Sequence, residues 1–543
     1  MAQTGQTGLS QNSQAQAEQA RIKAQREAAE RAARERAPVA RLDDAKAPVL
    51  GEFPEEEACF AIKEIAVAGA QHSRLQWVPG FLEQYRGRCA GSQGLDYILR
   101  SLQAAFLDRG LITTRAGLPE QNLASGTLIV QVVPGVASGV TTNGEAKAFT
   151  WDVASPVDGG DIVDLRALEQ GLEQMRRIQG REVNVDLEPG EAPGETVLAV
   201  TSEQPRYLSA SLGVNNYAGD TVGNWQGNAQ IATLGLLGAS EILSLSYNTR
   251  IAEPDVPGDS SGFFGSLTFP LGWWTFGVSG SANDYSQQVL GEVRDFETSG
   301  RLRTVSGFAE RVIGRTQTSR TAVRGSLSRR WARNFIDDVE IGIQRQDVTD
   351  LTAALLDRRY FGDIRVDSQF AMRFGLDIFG AQDENDSRPE ELPTARYRIA
   401  SADISVTIPF NTGANEGFFD SWNTTIRAQY SDQNLYGADA IAIGGPFTVR
   451  GFDVDRALIG RSGFFMRQEL RGRLPGPLGD IFSPFAFLDM GKVNGNDGIA
   501  GAGLGLRAAW KGLTLDGFAA LPIKRAAFQQ NDLRFGVALG WSI

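Results

Sequence analysis

The sequence predicts a sixteen-stranded antiparallel transmembrane β-barrel, preceded by two small α/β units and an N-terminal helix. Three observations carry that prediction. The C-terminal part alternates apolar and polar residues with a period of two. The part before it alternates strand and helix patterns over short distances. The composition combines 62 Gly with 29 Phe, 10 Tyr and 9 Trp, at a hydrophobic fraction of 42 %. No window of about 18 apolar residues occurs, which excludes a helical membrane span. A β-barrel escapes that exclusion, because its membrane signal lies in alternation and its average looks polar. The composition also excludes a disordered chain, a collagen and, with 2 Cys, a small disulfide scaffold. The 53 basic and 65 acidic residues give a formal net charge of −12, which argues weakly against nucleic acid as the main partner.

The N-terminal segment spans 1–36. Its start (MAQTGQTGLSQNSQAQ) is polar and holds no signal peptide. A mature chain that has lost its leader reads the same way, so this carries no cytoplasmic address. From Ala17 to Arg36 the residues become Ala, Glu, Gln, Arg and Lys, strong helix formers with no Gly or Pro. Arg21, Lys23, Arg26, Arg31, Arg34 and Arg36 are basic, Glu18, Glu27, Glu30 and Glu35 acidic, and Ile22 is the sole large apolar residue. Such a helix has no apolar stripe to bury. It is either exposed to solvent or enclosed in a polar cavity. Residues 37–57, with Pro38, Pro48, Pro54 and a run of acids, read as an extended linker.

Residues 58–133 form the first α/β unit. Cys59 to Val67 reads as a strand, Leu75 to Tyr85 as partly helical and Leu95 to Arg109 as a helix. Gly110 stands at its C-cap, and Thr127 to Val133 is a strand stopped by Pro134-Gly135. Residues 134–203 repeat the layout. Asp164 to Ile178 is helical, with Leu165, Leu168, Leu172 and Met175 on one face. Strands at Glu182–Leu187 and Thr196–Val200 flank a turn made by Pro189-Gly190 and Pro193-Gly194.

From 204 to 543 the period is two. Leu243, Leu245 and Tyr247 alternate with Ser244, Ser246 and Asn248; Trp422 to Tyr430 and Leu533 to Trp541 alternate likewise. Sixteen candidate strands give about 21 residues for each strand and connection, against roughly 9–11 for a membrane strand. A large soluble sandwich or propeller also alternates. Against it stand the charges on the polar face, Arg427, Arg467, Glu469, Arg471 and Asp489. A dry sandwich core excludes them and a wide barrel lumen accepts them.

Two short motifs stand out. Val449-Arg450-Gly451-Phe452 lies in a Gly-rich connection at about 433–460. Phe487-Leu488-Asp489-Met490-Gly491 lies on a period-two strand. With Ala486, Leu488 and Met490 toward lipid, Phe487, Asp489 and Gly491 face the lumen. A buried carboxylate there calls for an arginine. Arg450 answers if its loop folds inward, and a guanidinium–carboxylate fork then latches loop to wall. An Arg-Gly pair also occurs in ordinary turns.

These residues, in this order, resemble the TpsB transporters of two-partner secretion, within the Omp85 superfamily. The resemblance spans the whole chain: the N-terminal helix; Cys59-Phe60 with Cys89; Leu118-Pro-Glu-Gln-Asn-Leu-Ala-Ser-Gly-Thr-Leu128; Leu168-Glu-Gln-Gly-Leu-Glu-Gln-Met-Arg-Arg-Ile178; Pro189-Gly-Glu-Ala-Pro-Gly-Glu-Thr196; and the two barrel motifs. It implies that 58–133 and 134–203 are POTRA domains and that 204–543 is the barrel. It further implies that Ala17–Arg36 lies inside the pore, its basic residues facing lumen acids, and that 433–460 is the sixth extracellular loop, folded inward between strands 11 and 12. It places Asp489 on strand 13. It also implies a disulfide between Cys59 and Cys89, two unpaired buried cysteines being the alternative. Two positions depart from the family pattern. A Gly-x-Gly-Asp turn is replaced by Gly235-Leu-Leu-Gly-Ala-Ser-Glu241, and the end reads Trp541-Ser542-Ile543 in place of a terminal aromatic.

The function implied is export of an unfolded exoprotein across the Gram-negative outer membrane, without ATP. The client's N-terminal secretion domain binds the POTRA units, with Leu168, Leu172, Met175 and Ile178 on one wall of a groove. The implied surroundings are outer-membrane lipid and lipopolysaccharide, and the implied state is a monomer. No nucleophile–His–acid set or phosphate loop suggests an enzyme, and no cofactor is called for. His72 is the only His, so no zinc site is expected. An Omp85 assembly insertase shares the barrel motifs but more often carries five POTRA units and lacks a plugging helix. A diffusion porin needs no POTRA unit, and a soluble β-rich binding protein remains the third alternative.

Overall fold

The computed structural model describes residues 4–40, 42, 51–144, 149–251, 256, 258–289, 294–384, 389, 391–410, 417–495, 497–527, 529 and 532–543. The middle of the predicted linker, 41 and 43–50, lies outside the described residues.

Helix α1 runs over Thr4–Arg36. It begins well before the predicted Ala17, because the polar start carries no helix signal of its own. Once the Ala-rich segment is helical, each added residue gains one hydrogen bond without a new nucleus.

The first unit packs the helix Ser92–Asp108 on a sheet ordered Glu64–Ala68, Thr127–Val133, Arg115–Gly117. Leu75, Leu82, Ile98, Leu102, Phe106 and Leu128 fill its core. The predicted strand Cys59–Val67 is in fact two pieces. Phe60–Ala61 pairs with Cys89–Ala90, while Glu64–Ala68 pairs with Thr127–Val133. The break falls where Lys63 and Glu64 both donate their amides to the Gly126 carbonyl. Cys59 and Cys89 are joined in a disulfide beside the small first sheet. Closing such a loop stabilises a small domain by roughly 2–4 kcal/mol. Glu56 reaches the start of the helix and accepts from the amides of Gly91, Gln93 and Gly94 at 2.8, 2.9 and 2.7 Å.

The second unit orders its sheet Val136–Thr142, Glu195–Glu203, Glu182–Pro189. Helices Phe149–Ala154 and Leu165–Arg176 cover it. Val136–Thr142 and Phe149–Ala154 lack a sequence signal, being short and only partly apolar. The two units touch at their junction. Leu165 donates its amide to the Gly110 carbonyl at 2.8 Å, and Arg74 pairs with Asp164, the N-cap of the second helix.

Sixteen strands close the barrel. The first eight are β1 (Leu208–Asn215), β2 (Gln226–Leu234), β3 (Ile242–Arg250), β4 (Asp259–Leu271), β5 (Trp274–Val289), β6 (Phe296–Arg315), β7 (Ser319–Ile336) and β8 (Gln346–Phe361). The others are β9 (Ile364–Leu376), β10 (Arg398–Pro409), β11 (Phe419–Tyr430), β12 (Gly463–Gly472), β13 (Phe482–Val493), β14 (Ile499–Trp510), β15 (Leu513–Lys524) and β16 (Arg534–Ser542). All neighbours are antiparallel, and β16 pairs back onto β1 with Ser542 opposite Ser211. A two-residue piece, Val339–Glu340, decorates the end of β7. Closure leaves no sheet edge in the membrane, which removes the open-sandwich alternative. The outer face is apolar, with Tyr247, Trp422, Tyr430, Phe535 and Trp541 exposed, while Arg427, Glu469 and Asp489 point inward and are buried. The replaced turn at 235–241 is still closed by an acid. Glu241 accepts the amides of Leu237 and Ala239 through its carboxylate, and Gly235 and Gly238 supply the positive φ.

Candidate functional site

The connection between β11 and β12 enters the lumen and carries a small hairpin, Ile441–Ile443 against Leu458–Gly460. Val449 and Phe452 pack with Ile443, Leu458, Phe465 and Val493 in an apolar cluster inside the barrel. Between them the Arg450 side chain meets the wall. Its Nε and Nη2 donate to the two oxygens of Asp489 on β13, at 2.6 and 2.9 Å. Its own amide donates to Asp489 Oδ2 at 3.1 Å, and Nη1 donates to Glu469 on β12 at 3.3 Å. The guanidinium also lies 3.5 Å from the centroid of the Phe487 ring. Arg450 and Asp489 are both buried, so the pair holds only because its hydrogen bonds are satisfied.

Glycines make the approach possible. Gly451 has φ +98°, a conformation L side chains avoid. A Cβ on Gly491 would lie 2.9 Å from the Phe464 carbonyl oxygen, and one on Gly501 of β14 would lie 2.0 Å from the Arg450 carbonyl oxygen. Gly501 is a site residue that carries no sequence signal, because its role depends on a loop arriving from elsewhere. Glu469 reads in sequence as a lumen charge. Its part in the latch, and its pairing with Arg507 of β14, become visible only in three dimensions.

Helix α1 fills the lumen beside this loop. Gln19 approaches Gln346 at the start of β8, and Arg358 near the end of β8 donates to the Ala37 carbonyl at 3.0 Å. The helix therefore runs along the pore. Its basic residues divide by face. Arg31 pairs with Asp403 of β10 at 2.9 Å, and Glu27 with Arg427 of β11 at 2.8 Å. Lys23 is buried, bonds neutral acceptors of the wall and loop and lies 3.8 Å from Glu27 of its own helix. Arg21 pairs within the helix, with Glu18, and exposed Arg26 with Glu30. Arg34 is half-buried and gives its carbonyl to Arg358, while Arg36 is exposed. The expectation that the helix's basic residues pair with lumen acids thus holds for Arg31 and is corrected for the others. A helix in a wide tube touches the wall along only part of its circumference, so Arg31 is the one basic residue paired with a wall acid among the described contacts.

The expected groove wall is also corrected. Leu168, Leu172, Met175 and Ile178 are all at most 1 % exposed. The first three sit with Trp151, Val183, Leu198 and Val200 in the second unit's own core. An apolar helical stripe packs on its own sheet first, and nothing of it remains for a client. The opposite, polar face of that helix rests on the barrel rim. Arg315, at the β6–β7 turn, donates to Glu169 and Glu173 at 3.2 and 2.8 Å and to the Ala40 carbonyl at 2.7 Å. Gln174 bonds the Gly272 and Trp274 carbonyls.

A lumen helix, an inward loop clamped by Arg450 and Asp489, and a two-unit arm define the arrangement. A family profile described as haemolysin secretion/activation protein ShlB/FhaC/HecB matches residues 194–508. A ShlB-type POTRA profile matches 60–135 and a further POTRA profile 137–189. The chain belongs to the haemolysin secretion/activation family.

Among its relatives, the outer membrane transporter CdiB-2 of Burkholderia pseudomallei is 30% identical over 488 residues, 87% of this chain and 82% of that one. The hemolysin transporter protein HpmB of Proteus mirabilis is 21% identical over 426 residues, 77% of this chain and 72% of that one. The structure of CdiB from Acinetobacter baumannii has the same fold, with a TM-score of 0.86 at 22% identity over 98% of this chain and 99% of that one. CdiB from Escherichia coli gives 0.84 at 24% identity, covering 98% of each. As a member of this family the chain is an outer-membrane transporter of two-partner secretion, with its POTRA units on the periplasmic side.

Proposed function

We propose that this transporter exports an unfolded exoprotein which it recognises through the client's N-terminal secretion domain, that it works as a monomer in lipid and lipopolysaccharide, and that the chain described here is its closed state. The observation that carries the closed state is α1 lying in the lumen. One cavity of about 450 Å³ lies between helix, wall and second POTRA unit, and α1 itself runs along the wall from Gln19 beside Gln346 to Ala37 beside Arg358. A client strand of about nine extended residues needs the path that the helix takes up. The helix therefore leaves before the client passes.

The client adds to an exposed POTRA sheet edge, where backbone hydrogen bonds accept varied side chains. Glu64–Ala68 and Glu182–Pro189 stand at such edges. Arg450, Asp489 and Glu469 keep the loop at the wall through the cycle. Chain entry is driven by binding on the periplasmic side, and folding outside discourages return, so no nucleotide is needed. The test is co-expression with a large exoprotein that carries an N-terminal secretion domain, sought first in the neighbouring gene. Its appearance at the cell surface is expected to require the transporter. Equal surface exposure without the transporter overturns the reading.

A further inference from the structure

The inward loop is also held on a different stretch of the wall from Arg450. Asp439 has no exposed surface. Its carboxylate takes Nη1 and Nη2 of Arg330 on β7, the first at 2.8 Å, and lies 3.3 Å from Arg373 Nη2 on β9. Both arginines are buried or nearly so. Leu435 and Ala440, on either side, pack with Val348, Tyr397 and Ile399 of the same wall. The loop thus spans the lumen, clamped by an acid at one end and a base at the other.

Lys23 of α1 meets this second clamp. Its ammonium has three protons to give. The Glu27 carboxylate of the same helix stands farther off at 3.8 Å, and three oxygens lie within hydrogen-bond distance. They are Gln429 Oε1 at 2.9 Å, the Asp439 carbonyl at 2.7 Å and the Ala440 carbonyl at 2.8 Å. Gln429 itself donates to the same Asp439 carbonyl at 2.9 Å. Two of the three acceptors are the backbone of the clamped residues. They point at Lys23 only while Asp439 is held by Arg330 and Arg373. Close backbone packing continues the contact, since a Cβ on Gly437 would lie 2.7 Å from the Cα of Gln16.

We propose that Asp439, Arg330 and Arg373 form a second loop anchor whose purpose is to present the carbonyls that hold Lys23, so that the pore helix and this end of the loop are released as one unit. The Arg450–Asp489 latch is not part of that unit. It keeps the other end of the loop in place when the helix leaves. The inference rests on the reading of α1 as the closure of the pore.

The test uses the full chain in planar bilayers, with a second reporter in cells. Ala20 is 1 % exposed beneath the wall, and the two native cysteines are joined in the disulfide. A thiol reagent on Ala20→Cys therefore reads helix departure. Lys23→Met and Asp439→Asn are each expected to raise the labelling rate and the fraction of time at high conductance about tenfold, by leaving buried groups unpartnered. The double variant is expected to exceed neither single one, because both remove the same interaction. Heat-modifiable migration of each variant checks that the barrel has closed. Removal of residues 1–36 keeps the two readings apart. If it leaves conductance unchanged, the closed-state reading itself falls. If it opens the pore while Asp439→Asn and Lys23→Met do not, or if their effects multiply, only the second anchor is overturned.

Discussion

Arg450 and Asp489 meet in a fork, Nε and Nη2 on the two carboxylate oxygens at 2.6 and 2.9 Å, with the Phe487 ring beneath the guanidinium. Among the described residues no backbone–backbone hydrogen bond joins the loop at Arg450 to the wall at Asp489, so the fork, the bonds of the Arg450 amide and Nη1 to Asp489 and Glu469, and the apolar contacts around them join the two.

Breaking one side of the fork leaves a buried charge without its partner, a loss of about 3–5 kcal/mol in comparable pairs. Arg450→Ala and Asp489→Asn are expected to lower exoprotein export strongly while part of the barrel still inserts. Arg450→Lys is expected to restore little, since an ammonium does not reproduce the fork. Immunoblots of surface exoprotein against heat-modifiable transporter measure both. Wild-type export by both of the first two variants would refute a working latch.

Helix α1 occupies the pore through a few polar contacts and no apolar stripe. Deleting 1–36 is expected to raise single-channel conductance in planar bilayers severalfold without changing the barrel's heat-modifiable migration. Charge reversal at one contact, Arg31→Glu facing Asp403, is expected to shift the same traces toward the open level. Unchanged conductance in the deletion would refute closure by the helix.

Arg315 ties the chain just after α1 to the second POTRA unit. It bonds the Ala40 carbonyl, Glu169 and Glu173 together, and its side chain is buried against two acids. Arg315→Ala is expected to free residues 37–57, read out as faster proteolytic cleavage there and earlier helix release. Cleavage at the wild-type rate would show that the Ala40 contact does not hold the segment.

Glu56 supplies a pH dependence in the first POTRA unit. Hydrogen bonds from the amides of Gln93, Gly94 and Gly91, against some desolvation, hold its carboxyl below the ordinary glutamate value. A depressed folded value contributes stability that is complete above the unfolded value of about 4.3 and is lost as pH falls through the folded one. The helix Ser92–Asp108 is therefore expected to lose hydrogen-exchange protection below about pH 4, after correction for intrinsic rates. Glu56→Gln is expected to show reduced protection at neutral pH and no such further loss. A Glu56→Gln profile that follows the wild type would refute this role.

Much of this molecule is legible in one dimension. Period-two alternation from 204 onward is a local property, and it identifies lumen and lipid faces because a strand turns its side chains alternately. Trp422 and Tyr430 face out and Arg427 and Asp489 face in, as the alternation requires. The Ala17–Arg36 segment announces a helix with nothing apolar to bury, and its composition left open whether water or a polar cavity surrounds it. The barrel closed around it decided that. The pairing of Arg450 with Asp489 is legible too, because a buried carboxylate demands a cation and the order of motifs supplies one.

What stayed hidden follows from the same physics. Leu168, Leu172, Met175 and Ile178 form a stripe whether the helix buries it in its own unit or offers it to a client, and only the sheet packed beneath shows which. Asp439 with Arg330 and Arg373, and Lys23 with two loop carbonyls, pair residues far apart in the chain. Their meeting depends on strand stagger, on the depth to which a loop descends and on the helix's rotation in the pore. Each of those is set by the closed barrel as a whole, because closure fixes every register at once, and no local run of residues encodes it.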